Sequence, residues 1–272
     1  MECVYINLDN AAARREAIEG SFQQHNSPGW ILKRFPAIDV SYVKRNSATG
    51  SIRDEEKGCF LSHKIIVDRS VDLGDHLFIL EDDVCFGRQS MAIIETLTYR
   101  ELPEDGWDLL FTDVGVPSIY GMLQLIDLRN NFRSTHTFHT IDLMTMNFFG
   151  STCYVINKSA IRKLSHILDK ATLDAPYDLY LRKLIQLKLL RAFVIFPFLT
   201  SVSNESSKSG IQTPALGRTQ FIWNIFRQMI WIDGDEFDPS EMLAKMYPAI
   251  ENRSKLYGML FSLMTDPSFN QN

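Results

Sequence analysis

The sequence Leu77-Phe78-Ile79-Leu80-Glu81-Asp82-Asp83-Val84 joins a short apolar run to three consecutive carboxylates. An apolar run of this length predicts a buried strand that carries the acids at its C-terminal end. Adjacent carboxylates raise one another's pKa values, so such a cluster normally has a divalent cation or a basic side chain beside it. Oxygen ligands suit Mg²⁺ or Mn²⁺, which also bind substrate phosphates. Two interpretations are open: a metal-bridged nucleotide phosphate site, or an acidic turn paired with Arg or Lys.

The composition around this stretch is that of a globular protein with a complete core. The 272 residues are 45% hydrophobic and 22% charged, which allows one large domain or two small ones. The net charge of −5 provides no global basic field, so nucleic acid is not expected as a partner. The four cysteines include no Cys-x-x-Cys pair, which argues against a disulfide framework or a structural zinc site.

The cellular location follows from the same features. Widely spaced cysteines beside apolar runs are typical of free thiols in a reducing cytosol. No signal peptide is predicted at the N-terminus, and no apolar run approaches the length of a membrane span. We therefore expect a cytoplasmic protein that is soluble or peripheral on the inner face of the membrane.

The first strand and helix are predicted on either side of a polar turn. Residues 3–6 form a compact β-branched and aromatic run, and residues 11–24 are good helix formers that carry Arg14 and Arg15 in the first turns. Cations near a helix N-terminus oppose the macrodipole, which favours a negative partner such as a diphosphate. The alternative is that both arginines are solvated surface residues.

Further elements follow along the chain. A helix with an acidic first turn is predicted over 54–67, where His63 is either a structural group or a phosphate contact. The strand 107–113 ends at Asp113, which we expect at the same edge as the first acids because parallel strands end together. Another helix begins at 175–178, where Asp178 favours the first turn.

Other segments are predicted with less regular structure or at the periphery. Residues 41–51 are polar, which predicts a mobile loop over the site. Residues 116–140 are rich in Asn, Thr and His, and we expect an irregular acceptor-side loop or hairpin there. Residues 148–156 are predicted as one strand. Residues 220–232 form an apolar helix, which is expected to pack on the domain, with a membrane surface or a second subunit as the alternatives.

Several short motifs, taken in order, closely resemble glycosyltransferase family 25, which contains lipooligosaccharide β-galactosyltransferases and collagen galactosyltransferases. They lie between residues 3 and 212 of the chain. The motifs are Val4-Tyr5-Ile6-Asn7-Leu8-Asp9 followed by Arg14-Arg15, Gly58-Cys59-Phe60-Leu61-Ser62-His63, Ile79-Leu80-Glu81-Asp82-Asp83-Val84, Gly150-Ser151-Thr152-Cys153-Tyr154-Val155-Ile156, Ala175-Pro176-Tyr177-Asp178 and Ser206-Ser207-Lys208-Ser209-Gly210-Ile211.

The resemblance implies an α/β fold of the GT-A type, with a Rossmann-like nucleotide-sugar-binding sheet and helices on both faces. We assign residues 1–214 to this domain and residues 215–272 to a helical C-terminal extension packed on it. The resemblance also implies an inverting transfer of a hexose, usually galactose from UDP-galactose, to a hydroxyl of a glycan or glycolipid acceptor such as lipooligosaccharide. The C-terminal helices are the expected place for any peripheral membrane contact or homodimer.

The same resemblance assigns roles to individual residues. Glu81-Asp82-Asp83 corresponds to the Asp-x-Asp motif, in which Asp83 and Glu81 would hold Mn²⁺ or Mg²⁺. The residues expected to line the nucleotide pocket are Asn7, Leu8, Arg14, Arg15, His63, Glu81 and Asp82. A carboxylate must also accept the proton of the attacking hydroxyl. Asp178 is the first candidate because it lies in a matched motif, and Asp113 is the second.

The chain departs from the family pattern at two places. The family often has Leu-Gly after its Trp-Asp strand, whereas this chain has Phe111-Thr112-Asp113-Val114-Gly115. The chain also has Ser209-Gly210-Ile211 in place of the usual Ser-Asp-Ile, so a metal ligand is not expected at that position. Asn204 or Ser203 is the candidate to replace that ligand. Two other functions stay open from the residues. One is a nucleotidyltransferase that uses the same acidic metal site, and the other is a catalytically silent module that binds a nucleotide sugar or a carbohydrate.

Overall fold

The computed structural model describes residues 1–26, 28–203, 223–234 and 252–265 of the chain. The strands are β1 (Glu2–Asn7), β2 (Ile31–Pro36), β3 (Leu77–Glu81), β4 (Val84–Phe86), β5 (Leu109–Phe111), β6 (His139–Asp142), β7 (Cys153–Ile156), β8 (Ala192–Phe196) and β9 (Thr200–Val202). The helices are α1 (Ala12–His25), α2 (Val40–Arg45), α3 (Asp54–Arg69), α4 (Ser90–Thr96), α5 (Ile119–Thr135), α6 (Ile161–Asp169), α7 (Tyr177–Gln186), α8 (223–229) and α9 (Asn252–Thr265), and a π-helical turn, Leu97–Glu101, extends α4.

Seven strands form one mixed sheet in the order β2-β1-β3-β7-β5-β8-β6. β2, β1, β3, β5 and β8 run in one direction, whereas β7 and β6 are antiparallel to their neighbours. The C-terminal ends of β1, β3 and β5 therefore meet at one edge of the sheet, together with the start of β7. A separate two-stranded ribbon pairs β4, which follows β3 in the chain, with β9, which follows β8.

The interior strand β3 is buried on both faces, as its continuous apolar run predicts. Leu77 and Ile79 belong to a core that also contains buried residues of α3, α6 and α7. Phe78 and Leu80 point into the second core, with buried residues of α1 and α4. Helices thus cover both faces of the sheet, and the predicted α/β fold class is confirmed.

The structure corrects the prediction of an irregular acceptor-side segment over 116–140. Most of it is the helix α5, whose first turn is capped by Ser118, with the side-chain oxygen accepting from Gly121 N at 3.0 Å. Met122, Leu125 and Ile126 pack against the core at helical spacing. The Asn, Thr and His residues of the segment all follow these positions, from residue 130 onward, and they conceal the apolar stripe that precedes them.

Two smaller predictions also need correction. The mobile loop over 41–51 is helical in its first part, because α2 is capped by Asp39, whose side chain accepts from Tyr42 N, and Val43 is buried. The strand over 148–156 is regular only as β7. Gly150 has a φ of 89°, a left-handed conformation that interrupts the extended chain just before that strand.

Part of the predicted C-terminal extension packs on the sheet domain. Phe226 and Ile230 join the main core, and Ile232 N donates to Phe198 O at 2.8 Å. The predicted boundary at 214/215, Asn204 and the motif over 206–211 lie outside the described residues. Across the helices that the structure describes, none has the length and apolar character needed to cross a membrane.

Candidate functional site

The three acids of the opening stretch lie at the sheet edge where β1, β3 and β5 end. Glu81 is the last residue of β3, and its N–H donates to Thr152 O at 2.7 Å, which ties it to the start of β7. Asp82 and Asp83 form the turn into β4, and Asp83 O accepts from Ser203 N at 2.7 Å beyond the end of β9. Both aspartates are buried, so the backbone fixes their side chains in the interior of this edge.

A basic side chain, that of Arg14, contacts the cluster directly. Arg14 Nη2 lies 3.0 Å from both Asp82 Oδ1 and Asp83 Oδ2, so it bridges the two aspartates. Asn7 Nδ2 donates to Asp82 Oδ2 at 2.7 Å, and Arg34 Nε donates to Asn7 Oδ1 at 3.0 Å. Both carboxylate oxygens of Asp82 therefore have polar partners. The hydrogen bond from Asn7 also connects the turn after β1 to the turn after β3.

Asp83 has fewer polar partners for its carboxylate oxygens than Asp82 has. Its Oδ1 atom is buried and has no hydrogen-bond partner among the described residues. Burial, together with the charge of Glu81, raises the pKa of Asp83 to about 7 even though Arg14 opposes the shift. A buried carboxylate oxygen without a partner, beside a second carboxylate, fits an oxygen-ligated divalent cation. The donor set therefore suits Mg²⁺ or Mn²⁺.

His63 lies under Glu81 on the α3 side of the sheet and is completely buried. Its Nδ1 atom is 3.0 Å from the Tyr154 hydroxyl, which is 2.9 Å from the Tyr177 hydroxyl. Its ring stacks on Tyr177 with centroids 4.2 Å apart. Nε2 faces Glu81 Oε1 at 3.7 Å, beyond hydrogen-bond distance. These contacts hold the imidazole rigidly beside Glu81.

Asp113 occupies a different environment from the one expected of a general base. It is completely buried two residues after β5, and its Oδ2 accepts from Arg227 Nε at 3.1 Å and also from Arg227 Nη2. The same Nη2 contacts Thr152 Oγ1 at 3.0 Å. Burial raises the pKa of Asp113, and the Arg227 guanidinium opposes that shift. Asp113 is thus the partner of a buried arginine.

Asp178 is half-buried in the first turn of α7. Its Oδ2 accepts from Gly150 N at 2.7 Å, in the loop just before β7. Burial raises the pKa of Asp178, and the charge of Glu81 acts in the same direction, whereas the backbone N–H groups of Gly150 and Leu179 oppose the shift. A partly accessible carboxylate with a raised pKa has the properties that a general base requires.

The structure brings most of the predicted site residues to this one edge, but not all of them make contacts there. Leu8 is exposed, and the structure shows only a backbone contact, from Ala11 N to Leu8 O. Arg15 is half-buried. Burial raises the pKa of Tyr5, whose hydroxyl donates to Glu19, and the charge of Arg15 opposes that shift only slightly. Both residues flank the cluster without touching the three acids in the described contacts.

Two arginines that contact site residues were not predicted from the sequence. Arg34 orders Asn7 and also contacts Asp9 Oδ1 at 2.6 Å, and Arg227 reaches Asp113 from the C-terminal segment. A signal for Arg227 was present, because it lies between apolar residues of a helix that was expected to be buried. A buried guanidinium requires an acidic partner. No signal in β2 distinguished Arg34 from a surface residue.

Comparisons with solved structures find remote similarity to glycosyltransferases. The glycosyltransferase GlyE of Streptococcus pneumoniae TIGR4 is 12% identical, with 91% of this chain and 63% of that chain covered and a TM-score of 0.40. The bifunctional glycosyltransferase WbbM is 11% identical over 71% of this chain and 38% of that chain, with a TM-score of 0.41. The galactosyltransferase LgtC is 12% identical over 80% and 82%, with a TM-score of 0.37.

The chain thus spans less than two thirds of the length of GlyE and WbbM. No curated protein matches the sequence. The family assignment rests instead on a family model, described as glycosyltransferase family 25 (LPS biosynthesis protein), which matches residues 1–181. That match includes Asn7, Arg14, the three acids and Asp178. Because it covers more than half of the 272 residues, the chain belongs to glycosyltransferase family 25.

Proposed function

We propose that this enzyme is an inverting, metal-dependent transferase that moves galactose from UDP-galactose to a hydroxyl of a glycan acceptor such as lipooligosaccharide. The observation that carries the proposal is the buried Asp83 Oδ1, which has no partner among the described residues and lies in a cluster of three carboxylates. Among the described residues, Arg14 contacts two of these acids, and one guanidinium does not balance three carboxylates. A divalent cation at this edge would offset the remaining negative charge and could then hold a diphosphate.

Asp83 and Glu81 would hold Mn²⁺ or Mg²⁺ in this proposal. When bound, the cation offsets the charge that develops on the departing UDP. Asn7, Leu8, Arg14, Arg15, His63 and Asp82 would form the nucleotide pocket around it. Arg14 is the best placed of these to meet a diphosphate, because its side chain is 20% exposed and already lies against two anionic groups.

Asp178 would accept the proton of the acceptor hydroxyl as that oxygen attacks the anomeric carbon. Its carboxylate is partly exposed, and the hydrogen bond that it accepts from Gly150 N fixes it in the first turn of α7. Asp113 is the weaker candidate because the buried Arg227 already holds it. A carboxylate in a buried ion pair is poorly suited to accept a proton, since protonation would leave the buried guanidinium without a compensating charge.

Transfer is expected to be specific for the donor and dependent on the cation. UDP release should be fastest with UDP-galactose among UDP-galactose, UDP-glucose, UDP-N-acetylglucosamine and GDP-sugars, and it should stop when EDTA removes Mn²⁺. The assay measures UDP for each donor with lipooligosaccharide present or absent. Absence of turnover and binding with every nucleotide sugar would contradict the proposal. Pyrophosphate release from a nucleoside triphosphate would point to a nucleotidyltransferase instead.

We also propose that the cytoplasmic enzyme meets its acceptor at a membrane surface through α9, with self-association as the alternative. Leu256, Tyr257, Met259 and Leu260 of this helix are exposed, and an exposed apolar face favours an interfacial contact. The chain is expected to sediment with anionic phospholipid vesicles, and L256S/L260S should stay in the supernatant. A wild-type chain that neither binds vesicles nor dimerises in analytical ultracentrifugation would contradict this role for α9.

A further inference from the structure

Three potential metal ligands of different chemical types converge behind the carboxylate cluster. Cys59 Sγ, a ring nitrogen of His63 and a carboxylate oxygen of Glu81 lie within 4.8 Å of one another. Cys59 and His63 are one turn apart on α3 and so share a face of that helix. Glu81 meets this face from the end of β3, where Oε1 is 3.7 Å from His63 Nε2.

The hydrogen-bonding state of His63 provides a second observation. Its ring is completely buried, yet Nε2 has no hydrogen-bond partner among the described residues. Nδ1, by contrast, pairs with the Tyr154 hydroxyl, and Tyr177 holds both that hydroxyl and the plane of the ring. Metal-ligating histidines typically have one nitrogen fixed by an outer partner while the other faces the metal. His63 has this arrangement, with Nε2 directed at Glu81.

We propose that Cys59, His63 and Glu81 bind a borderline-soft divalent cation such as Zn²⁺, at a site distinct from the oxygen-ligand site at Asp83. Zn²⁺ binds tetrahedral ligand sets of this kind, which consist of a thiolate, an imidazole and a carboxylate with water in the fourth position. Mg²⁺ and Mn²⁺ instead prefer oxygen ligands. On binding, the Cys59 thiol releases its proton to solvent as the sulfur–metal bond forms, and no atom changes its oxidation state.

The geometry needs only a small adjustment for this site. Zn–S and Zn–N bonds of about 2.3 and 2.0 Å place tetrahedral ligand atoms roughly 3.5 Å apart. Rotation of the Cys59 side chain and of the Glu81 side chain, which is 31% exposed, can supply the difference. Because Glu81 also belongs to the proposed donor site, Zn²⁺ here is expected to compete with Mn²⁺ for that carboxylate. The proposal itself does not depend on which sugar is transferred.

Cobalt and zinc spectroscopy on the full chain tests the site. Co²⁺ added to metal-free wild type is expected to give a near-ultraviolet thiolate-to-cobalt charge-transfer band that one equivalent of Zn²⁺ removes. The band should be absent in C59S and present in C85S, a control at the other half-buried cysteine. It should also persist in D83N, because the oxygen-ligand site contributes no sulfur. H63Q should weaken Zn²⁺ binding by more than about tenfold.

X-ray absorption on the zinc-loaded wild type decides the question if the variants do not fold. One sulfur ligand at about 2.3 Å is expected, together with nitrogen or oxygen ligands near 2.0 Å. A shell without sulfur, no cobalt band in the wild type, or a band that persists in folded C59S would overturn the proposal. Failure of the UDP-sugar assays alone would leave these spectra unchanged, so the two proposals fail separately.

Discussion

Replacing Asp83 with Asn is expected to abolish metal-dependent sugar transfer while the fold is retained. The amide has nearly the same shape as the carboxylate but lacks the charge that holds a hard cation. Metal ions contribute several kcal/mol of charge stabilisation in such transfers, so kcat/KM should fall by about 10³-fold. Steady-state UDP release at saturating Mn²⁺ measures the loss. D72N, which changes a carboxylate that is 94% exposed, is the matched control and should retain full activity.

The same variant is expected to be more stable than the wild type when both are metal-free at pH 8. Burial raises the pKa of Asp83 from 3.8 to about 7. A raised pKa means that the folded state binds the proton more tightly than the unfolded state does. Below about pH 3.8, Asp83 is protonated in both states and does not affect the free energy of unfolding. As the pH rises from there through about 7, its ionisation progressively lowers the free energy of unfolding. In EDTA at pH 8, D83N should have a higher melting temperature than the wild type. A lower melting temperature for D83N would contradict the conclusion that ionised Asp83 destabilises the metal-free fold.

Replacing Asp178 with Asn is expected to lower kcat by about 10²- to 10⁴-fold, the usual contribution of a general base. The KM for the donor should change little, because Asp178 is assigned to the acceptor side. Asn can still accept the hydrogen bond from Gly150 N, so the start of α7 should be preserved. In the wild type, the acidic limb of the kcat/KM profile should lie above the ordinary aspartate pKa of 3.8, since burial raises the pKa of Asp178.

D113N separates the two candidate bases. This change leaves the buried Arg227 guanidinium without a charged partner, and breaking a buried ion pair costs about 3–5 kcal/mol of stability. We expect a lower free energy of unfolding in urea, with kcat per folded molecule close to that of the wild type. A folded D113N that loses kcat by 10²-fold, beside a D178N that keeps it, would reverse the two roles.

The features that the sequence predicted well are those that depend on local pattern. β3 is a continuous apolar run ending in acids, and its burial on both faces follows from that run alone. The acidic first turn and apolar stripe of α3 likewise predict its position. The interpretation of the acids was open between a cation and a basic partner, and the structure shows that Arg14 meets two of them while Asp83 Oδ1 has no described partner.

The features that the sequence missed depend on tertiary contacts or on mixed composition. α5 was not predicted because polar residues dominate its C-terminal half and few of its residues are buried. The pairing of Arg227 with Asp113 joins residues 114 positions apart, and no local pattern specifies such a pair. The convergence of Cys59, His63 and Glu81 likewise depends on how α3 packs against the end of β3. Local sequence therefore predicted where the helices and strands lie better than it predicted the tertiary partners of individual residues.

Electron paramagnetic resonance of Mn²⁺ tests whether a cation and a diphosphate bind together at Asp83. Titration of Mn²⁺ into the protein with UDP measures the bound fraction from the loss of the free-ion signal. We predict one Mn²⁺ bound per chain, more tightly when UDP is present, with binding weakened by more than tenfold in D83N and unchanged in D72N. Equal Mn²⁺ binding by D83N and the wild type, or binding that UDP does not strengthen, would contradict the account.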